Sequence, residues 1–264
     1  MSLDERKRSI MSIITDRGEI TLTDLSKRLH YSQATLRRDA AALEREGLIR
    51  RTHGKLHRVD SISNNVPPVD DRSLINLSAK QRIARRAAGL IGSRGTVILD
   101  SGTTTGELAK AIAGRPITVV TNSLEISLSL AHSQTRVISC GGQLEQDHLC
   151  FLGSVAEEFF SSIEADALFL GTSGVRGSQG LTTSSPLQFN LKQAMLKAAK
   201  KRVVLCDLSK FDTACLFLFS DFSDIDTLVT ARPESGSQAE TLLREIGQRG
   251  VEVLYAEEEG ETRC

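Results

Sequence analysis

Two short stretches of this chain concentrate side chains suited to binding charged groups. The first is Ser32-Gln33-Ala34-Thr35-Leu36-Arg37-Arg38, where an amide, hydroxyls, a methyl and two guanidinium forks fall close together. The second is Asp100-Ser101-Gly102-Thr103-Thr104-Thr105-Gly106, a run of hydroxyls between two glycines. A planar guanidinium bonds guanine edges and phosphates in bidentate fashion. Hydroxyls and free backbone N–H groups at a helix start cradle an anion, with the helix dipole in support. The first chemistry suits a nucleic acid and the second a small anionic ligand.

Three short helices would position the first stretch. Leu3, Ile10, Ile13 and Ile14 share a face at helical spacing, so residues 4–17 read as an amphipathic helix ended by Gly18. Glu19–Leu22 reads as extended. Thr23 is placed to cap a second helix with Leu25 and Leu29 facing inward. His30-Tyr31 makes a tight turn, and Ser32 caps a third helix that ends at Gly47. Leu36, Ala40 and Leu43 form its buried stripe. The other face then presents Gln33, Ala34, Thr35, Arg37 and Arg38, as a helix entering a major groove would. The following LIRRTHGKLHR turns at Gly54 and reads as a basic hairpin wing, with Arg50, Arg51, His53, Lys55 and Arg58 on it and His57 beside them. An arginine pair on a helix often means only a solvated face. Here three helices precede a basic hairpin, and residues 1–60 carry 13 Lys+Arg against 9 Asp+Glu in a chain of zero net charge. That combination points to DNA.

The second stretch sits at the start of a different pattern. Polar residues 59–73, with Pro67-Pro68, read as a linker that is neither helix nor strand. Strands are then expected at Thr96–Asp100, Ile117–Thr121, Arg136–Cys140, Ala167–Leu170, Arg202–Cys206, Ile225–Thr230 and Val251–Tyr255. Helices are expected at Ala79–Ile91, Gly106–Ala113, Ser123–Ala131 and Leu187–Ala199. Such alternation gives a mostly parallel sheet covered on both faces. Its ligand crevice lies at the carboxyl ends of the strands. Those ends carry Asp100–Thr105, Thr121-Asn122-Ser123, Gly141-Gly142, Gly171–Gly174 and Asp207–Lys210. The candidate anion site is therefore Ser101, Gly102, Thr103, Thr104 and Thr105, with Gly171 nearby and Lys210 as a point charge. Asp100 or Asn122 is placed to read hydroxyls of the ligand. An ordinary Ser/Thr helix cap is the bland reading of the hydroxyl run alone.

The run SQATLRRDAAALEREGLIRRTHG resembles the DNA-binding signature of the DeoR family of bacterial repressors. Ala40 replaces the usual Leu, and Lys55 the second wing Gly. LDSGTTT, VVTNSLEIS, Gly141-Gly142, ALFLGTSGV and DLSKF are similar, in order, to the landmarks of that family's sensor domain, and Pro68 and Arg72 stand where the family has a Pro and an Arg. The resemblance implies a small α+β winged helix-turn-helix domain followed by a Rossmann-like α/β sensor domain related to ribose-5-phosphate isomerase. It implies a repressor of a carbohydrate-catabolism operon, binding double-stranded operator DNA as a homodimer or homotetramer and responding to a phosphorylated sugar-type effector. The expected domains are 1–58, linker 59–73, sensor 74–257 and acidic tail 258–264.

Other classes are disfavoured. The rival is a sugar-phosphate isomerase-like enzyme, whose chemistry needs an acid and a base over the sugar. The isomerases carry acidic residues in the loop matching Gly171–Val175, and this loop has none. No catalytic residue, cofactor or metal site is expected. His30 precedes the third helix, and His132 and His148 read as isolated surface or core residues. The five cysteines, Cys140, Cys150, Cys206, Cys215 and Cys264, have no CxxC spacing and suit buried thiols of a reducing compartment. No apolar run is long enough for a membrane span and no signal peptide is visible, so a cytoplasmic location is expected.

Overall fold

The structure, a computed structural model, describes residues 3–17, 19–45, 49–52, 55–58 and 69–256. The chain divides into two compact units, residues 1–63 and 64–264.

The small unit runs α1 (Leu3–Arg17), β1 (Glu19–Thr21), α2 (Leu22–Leu29), α3 (Gln33–Arg45), β2 (Ile49–Thr52) and β3 (Lys55–Arg58). Its strands form an antiparallel sheet in the order β1-β3-β2. Ile10, Ile14, Leu25, Leu36, Ala40 and Leu56 are fully buried in one core, so the helical stripes of α1 and α3 face each other across it. The cap of α2 is Thr21, not Thr23. The Thr21 hydroxyl accepts from Asp24 N–H at 3.0 Å, so the helix starts two residues earlier than its sequence suggests. His30 ends α2 in the left-handed conformation at φ 56°. Gly18, Gly47, His53 and Gly54 lie outside the described residues.

The large unit begins with α4 (Val69–Leu74), α5 (Leu77–Ala88), β4 (Thr96–Leu99), α6 (Thr103–Ile112), β5 (Thr118–Thr121), α7 (Leu124–Leu130) and β6 (Arg136–Ser139). A hairpin of β7 (Gln143–Glu145) and β8 (Cys150–Leu152) leads to α8 (Ser154–Ser161) and β9 (Ala165–Gly171). Then come β10 (Gly174–Arg176), β11 (Gly180–Thr183), α9 (Pro186–Lys197), β12 (Ala199–Leu205) and β13 (Phe217–Asp221). The unit ends with β14 (Thr227–Ala231), α10 (Gln238–Gln248) and β15 (Glu252–Ala256).

The main sheet has seven parallel strands in the order β15-β14-β12-β9-β4-β5-β6. Strand side chains alternate between two cores. Val97 and Leu99 face Ile83, Leu108 and Ile126 of α5–α7, while Ile98 faces the layer of Phe160, Leu191 and Ile246 from α8–α10. The chain leaves β4 towards β5 and β6 on one side and fills β9, β12, β14 and β15 on the other. Strand order thus reverses at β4, which opens a crevice at its carboxyl end.

Three features differ from the sequence reading. Residues 69–73 of the expected linker belong to helix α4, and residues 59–68 lie outside the described residues. Helix α6 starts at Thr103 rather than Gly106, because the Thr105 hydroxyl reaches back to accept from Gly102 N–H at 2.9 Å and caps the first turn. The antiparallel sheet β10-β11-β13 has no counterpart in the sequence reading, because its strands are only three to five residues long. It closes where side chains are missing: a Cβ on Gly180 would sit 2.0 Å from Ser220 O. The acidic tail lies outside the described residues.

Candidate DNA-reading helix and anion cavity

Helix α3 is set by one buried charge. Asp39 is 3% exposed and accepts from Arg6 Nε at 2.8 Å and from Nη2 at 3.2 Å, tying α3 to α1. Ser32 caps α3: its hydroxyl accepts from Thr35 N–H at 3.2 Å and lies 2.9 Å from Thr35 Oγ1. Gln33 donates to Thr23 Oγ1 at 3.3 Å, across the turn between α2 and α3. Arg37 and Arg38 are exposed, on the side away from the buried Leu36 and Ala40. Lys55 starts β3 and is half-buried. Arg51 lies on β2, but its side chain, like all of His53, is outside the described residues.

In the large unit a cavity opens at the carboxyl ends of β4, β9 and β12. Its floor is Asp100, Ser101 and Gly102 against Gly171, and the first turn of α6 contributes Thr103 and Thr104. A Cβ on Gly102 would lie 3.7 Å from Gly171 Cα, so the two bare backbones approach across the floor. The free N–H groups of the first turn of α6 belong to this wall. Lys210 lines the opposite side, on a 3₁₀ turn (Leu208–Lys210) capped by Asp207.

Two of the expected ligand contacts are turned elsewhere. Thr105 is fully buried and spends its hydroxyl on Gly102 N–H and the Asp100 and Gly102 carbonyls. Asn122 is 1% exposed and does not line the cavity. Its amide oxygen accepts from Ser101 N–H at 3.0 Å, and its nitrogen donates to Ser101 Oγ at 3.1 Å. It shapes the loop from behind. Asp207 likewise serves as a cap, accepting from Ser209 N–H at 3.0 Å and Asn76 Nδ2 at 3.1 Å.

Among the lining residues that the sequence reading does not assign to the ligand are four from outside the strand-end loops: Arg72, His148, Gln188 and Lys192. Lys192 of α9 is 6% exposed, donates to Asp100 Oδ2 and to Gly171 O at 3.0 Å, and lies over the Phe219 ring. Asp100 Oδ2 also accepts from Gly171 N–H at 3.1 Å. His148 is no isolated surface or core residue. It lines the cavity, and its Nδ1 lies 3.1 Å from Glu145 Oε2 without making a hydrogen bond. Gln188 donates to the same carboxylate oxygen at 3.3 Å.

Arg72 of α4 differs from all of these. Its Nε and Nη2 are buried and have no hydrogen-bond partner among the described residues. Behind it, Lys80 is 3% exposed and donates to the Arg72 carbonyl.

The electrostatics follow from this crowding. Burial pushes the Arg72 guanidinium down from its ordinary value against the opposing pull of Asp100. Burial, with Lys210 and Arg72 nearby, brings Lys80 down to about 8 although Asp207 favours its charge. Burial and Arg72 lower His148, which favours the neutral imidazole. Burial disfavours the Asp207 carboxylate, but Lys210 and the hydrogen bonds from Ser209 and Asn76 outweigh it and hold Asp207 below the usual range. Burial lifts the Cys140 thiol to about 11 and Cys150 to about 12 and raises Cys206 and Cys215, so all four are poor nucleophiles. No cluster of His, Cys, Asp and Glu suited to a metal is found among the described residues.

Comparison with known proteins identifies both units. Residues 75–232 match the DeoR C terminal sensor domain, and residues 6–62 match the DeoR-like helix-turn-helix domain. The chain belongs to the DeoR family. It is 34% identical over 251 residues to the HTH-type transcriptional regulator GlpR of Haloferax volcanii, covering 95% of this chain and 96% of that one. It is 32% identical to the transcriptional repressor AccR of Agrobacterium fabrum, covering 94% and 95%. Among solved structures, ribose 5-phosphate isomerase A from Methanocaldococcus jannaschii aligns at a TM-score of 0.39 and 16% identity, over 52% of this chain and 55% of that one. This DeoR-family protein is a DNA-binding transcriptional regulator, with an N-terminal helix-turn-helix unit and a parallel α/β unit. The isomerase alternative is set aside because the family and these relatives are regulators, not enzymes. Among the described residues no helix is long and apolar enough to cross a membrane.

Proposed function

We propose that this regulator represses a carbohydrate-catabolism operon and that a phosphorylated sugar-type effector, bound in the α/β cavity, releases it from operator DNA. The observation that carries this reading is the cavity's charge. Arg72, Lys192 and Lys210 face a wall that also holds the positive end of α6, while the lining carboxylates are Asp100 and Asp207. Asp100 is engaged by Lys192, and Arg72 has two buried donors to spare. An unsatisfied buried guanidinium is costly, and a phosphate monoester supplies the missing acceptors. Ser101, Thr103, Thr104 and Lys210 would share the phosphate, and the hydroxyl-bearing part of the ligand would lie towards Gln188 and His148.

On the DNA side, Gln33, Arg37 and Arg38 read the major groove, Ser32 and Thr35 set the helix start against the backbone, and Arg51, His53 and Lys55 reach phosphates. Two-fold operators pair with two-fold proteins, so the working form is a homodimer or homotetramer. The effector must prefer the conformation that binds operator less well, since equal affinity for both shifts nothing.

The test is release of an operator complex by a panel of phosphorylated sugars and their parent sugars. Only phosphorylated forms should release the wild type. Thr103→Val and Lys210→Ala should keep operator affinity and lose the response. Equal release by a parent sugar, or a normal response of Lys210→Ala, would overturn the phosphate reading.

A further inference from the structure

The free guanidinium belongs to the segment that joins the two units. Helix α4 spans Val69–Leu74, and the boundary between the compact units falls at residues 63 and 64. Arg72 is therefore fewer than ten residues from the end of the DNA-binding unit, yet its side chain lines the cavity. The segment is also held from behind. Lys80 grips the Arg72 carbonyl, and Asn76, at a positive φ of 55°, donates its amide to Asp207. Asp207 in turn caps the turn that carries Lys210. The end of the linker and one cavity wall are thus a single hydrogen-bonded assembly.

We infer that Arg72 is the residue through which cavity occupancy reaches the DNA-binding unit: it bonds the anion directly, and the bond resets helix α4 and the linker attached to it. The inference rests on the reading of the cavity as a phosphate site. The remaining cations are poorly placed for the role. Lys192 is already bonded to Asp100 and Gly171 within the α/β unit, and Lys210 sits on a turn inside that unit. Neither adjoins the linker in sequence. Arg72 alone of the lining cations does, and its fork has donors that no described residue satisfies. An anion bonded by both α6 and Arg72 fixes α4 against the sheet end. Without the anion, Arg72 Nε and Nη2 make no hydrogen bond to the sheet end among the described residues.

Hydrogen exchange of the full-length protein, with and without inorganic phosphate, tests this. In the wild type, phosphate should slow exchange in residues 101–106 and also in 69–76. In Arg72→Ala, phosphate should bind roughly 10- to 100-fold more weakly, as expected for loss of a charge-assisted bond. At saturating phosphate this variant should still protect 101–106 but no longer 69–76. Arg72→Lys keeps the charge without the fork and should protect 69–76 only partly, which separates loss of the bond from loss of the helix. Protection of 101–106 without 69–76 in the wild type would overturn the coupling and leave the phosphate site standing. Wild-type protection of 69–76 in Arg72→Ala would overturn it too. No protection anywhere would remove the phosphate site itself, and the coupling with it.

Discussion

The reading helix and the cavity floor each hold a buried aspartate beside cations, and they use it in opposite ways. In α3, Asp39 takes the fork of Arg6, and Arg37 and Arg38 are left to solvent. In the cavity, Asp100 takes Lys192, and the neighbouring Arg72 keeps two buried donors with no hydrogen-bond partner among the described residues. The difference matches the two targets. DNA is a large polyanion, and affinity for it comes from many exposed charges and counterion release. A small anion offers few contacts, so each must be strong. Removing the cation from water in advance strengthens its attraction for the one anion that fits. The cost of that desolvation is met by the fold, through the packing around α4 and α5.

The largest expected effect breaks the cavity half of this comparison. Asp100→Ala removes the partner of a buried ammonium and should destabilise the α/β unit by about 3–5 kcal/mol. Replacing both partners, as in Asp100→Leu with Lys192→Met, should recover much of that loss, because no buried charge is then orphaned. Denaturant unfolding of the three proteins measures both. If the double variant is as unstable as the single one, the pair is not acting as a charge pair.

A smaller effect sharpens the DNA half. Arg37→Ala and Arg38→Ala should each weaken binding to a DNA site selected by the wild type, by about 1–3 kcal/mol for a lost base contact. Thermal unfolding should barely move, since both side chains are exposed. Unchanged affinity in both would take α3 out of the interface.

The same contrast explains what the sequence made legible. The stripe Leu36, Ala40, Leu43 follows from local periodicity, and all three are buried. The parallel sheet followed from alternation, and polar strand ends pointed to the crevice. Composition could not tell a hydroxyl that faces a ligand from one that folds back on its own loop, so Thr103 and Thr105 looked alike. The cavity's other cations come from distant segments that only the topology brings together. A signal was present for Lys192 and for Lys80 behind the wall: Lys80 lies on the apolar stripe of Ile83, Ala84 and Ala87, and Lys192 on that of Leu191 and Met195. A lysine on a buried helix face is costly enough to need a reason. Arg72 was marked by the family resemblance, but the diprolyl linker before it concealed the helix that carries it.

The smallest effect concerns Lys80, which sits behind the anion wall with its ammonium brought down to about 8 by burial and neighbouring cations. Its ordinary value is 10.5, so between about pH 8 and that value the folded protein holds fewer protons here than the unfolded chain. The group's contribution to stability therefore rises with pH across that window. Anion binding should go the other way. A phosphate placed against Arg72 and Lys210 favours the charged form of Lys80 and raises its pKa, so binding takes up protons and weakens as pH rises past 8. A phosphomonoester has its own second pKa near 6 and is already a dianion at pH 8.5, so the uptake there belongs to the protein. Calorimetry of the releasing phosphomonoester at pH 8.5, in two buffers of different ionisation enthalpy, should show uptake of a fraction of a proton. Lys80→Met should abolish that uptake and flatten the pH dependence of affinity. If uptake is absent in the wild type, or survives in Lys80→Met, the buried lysine does not sense the anion, and the predesolvated charge of the cavity is confined to Arg72 and its immediate neighbours.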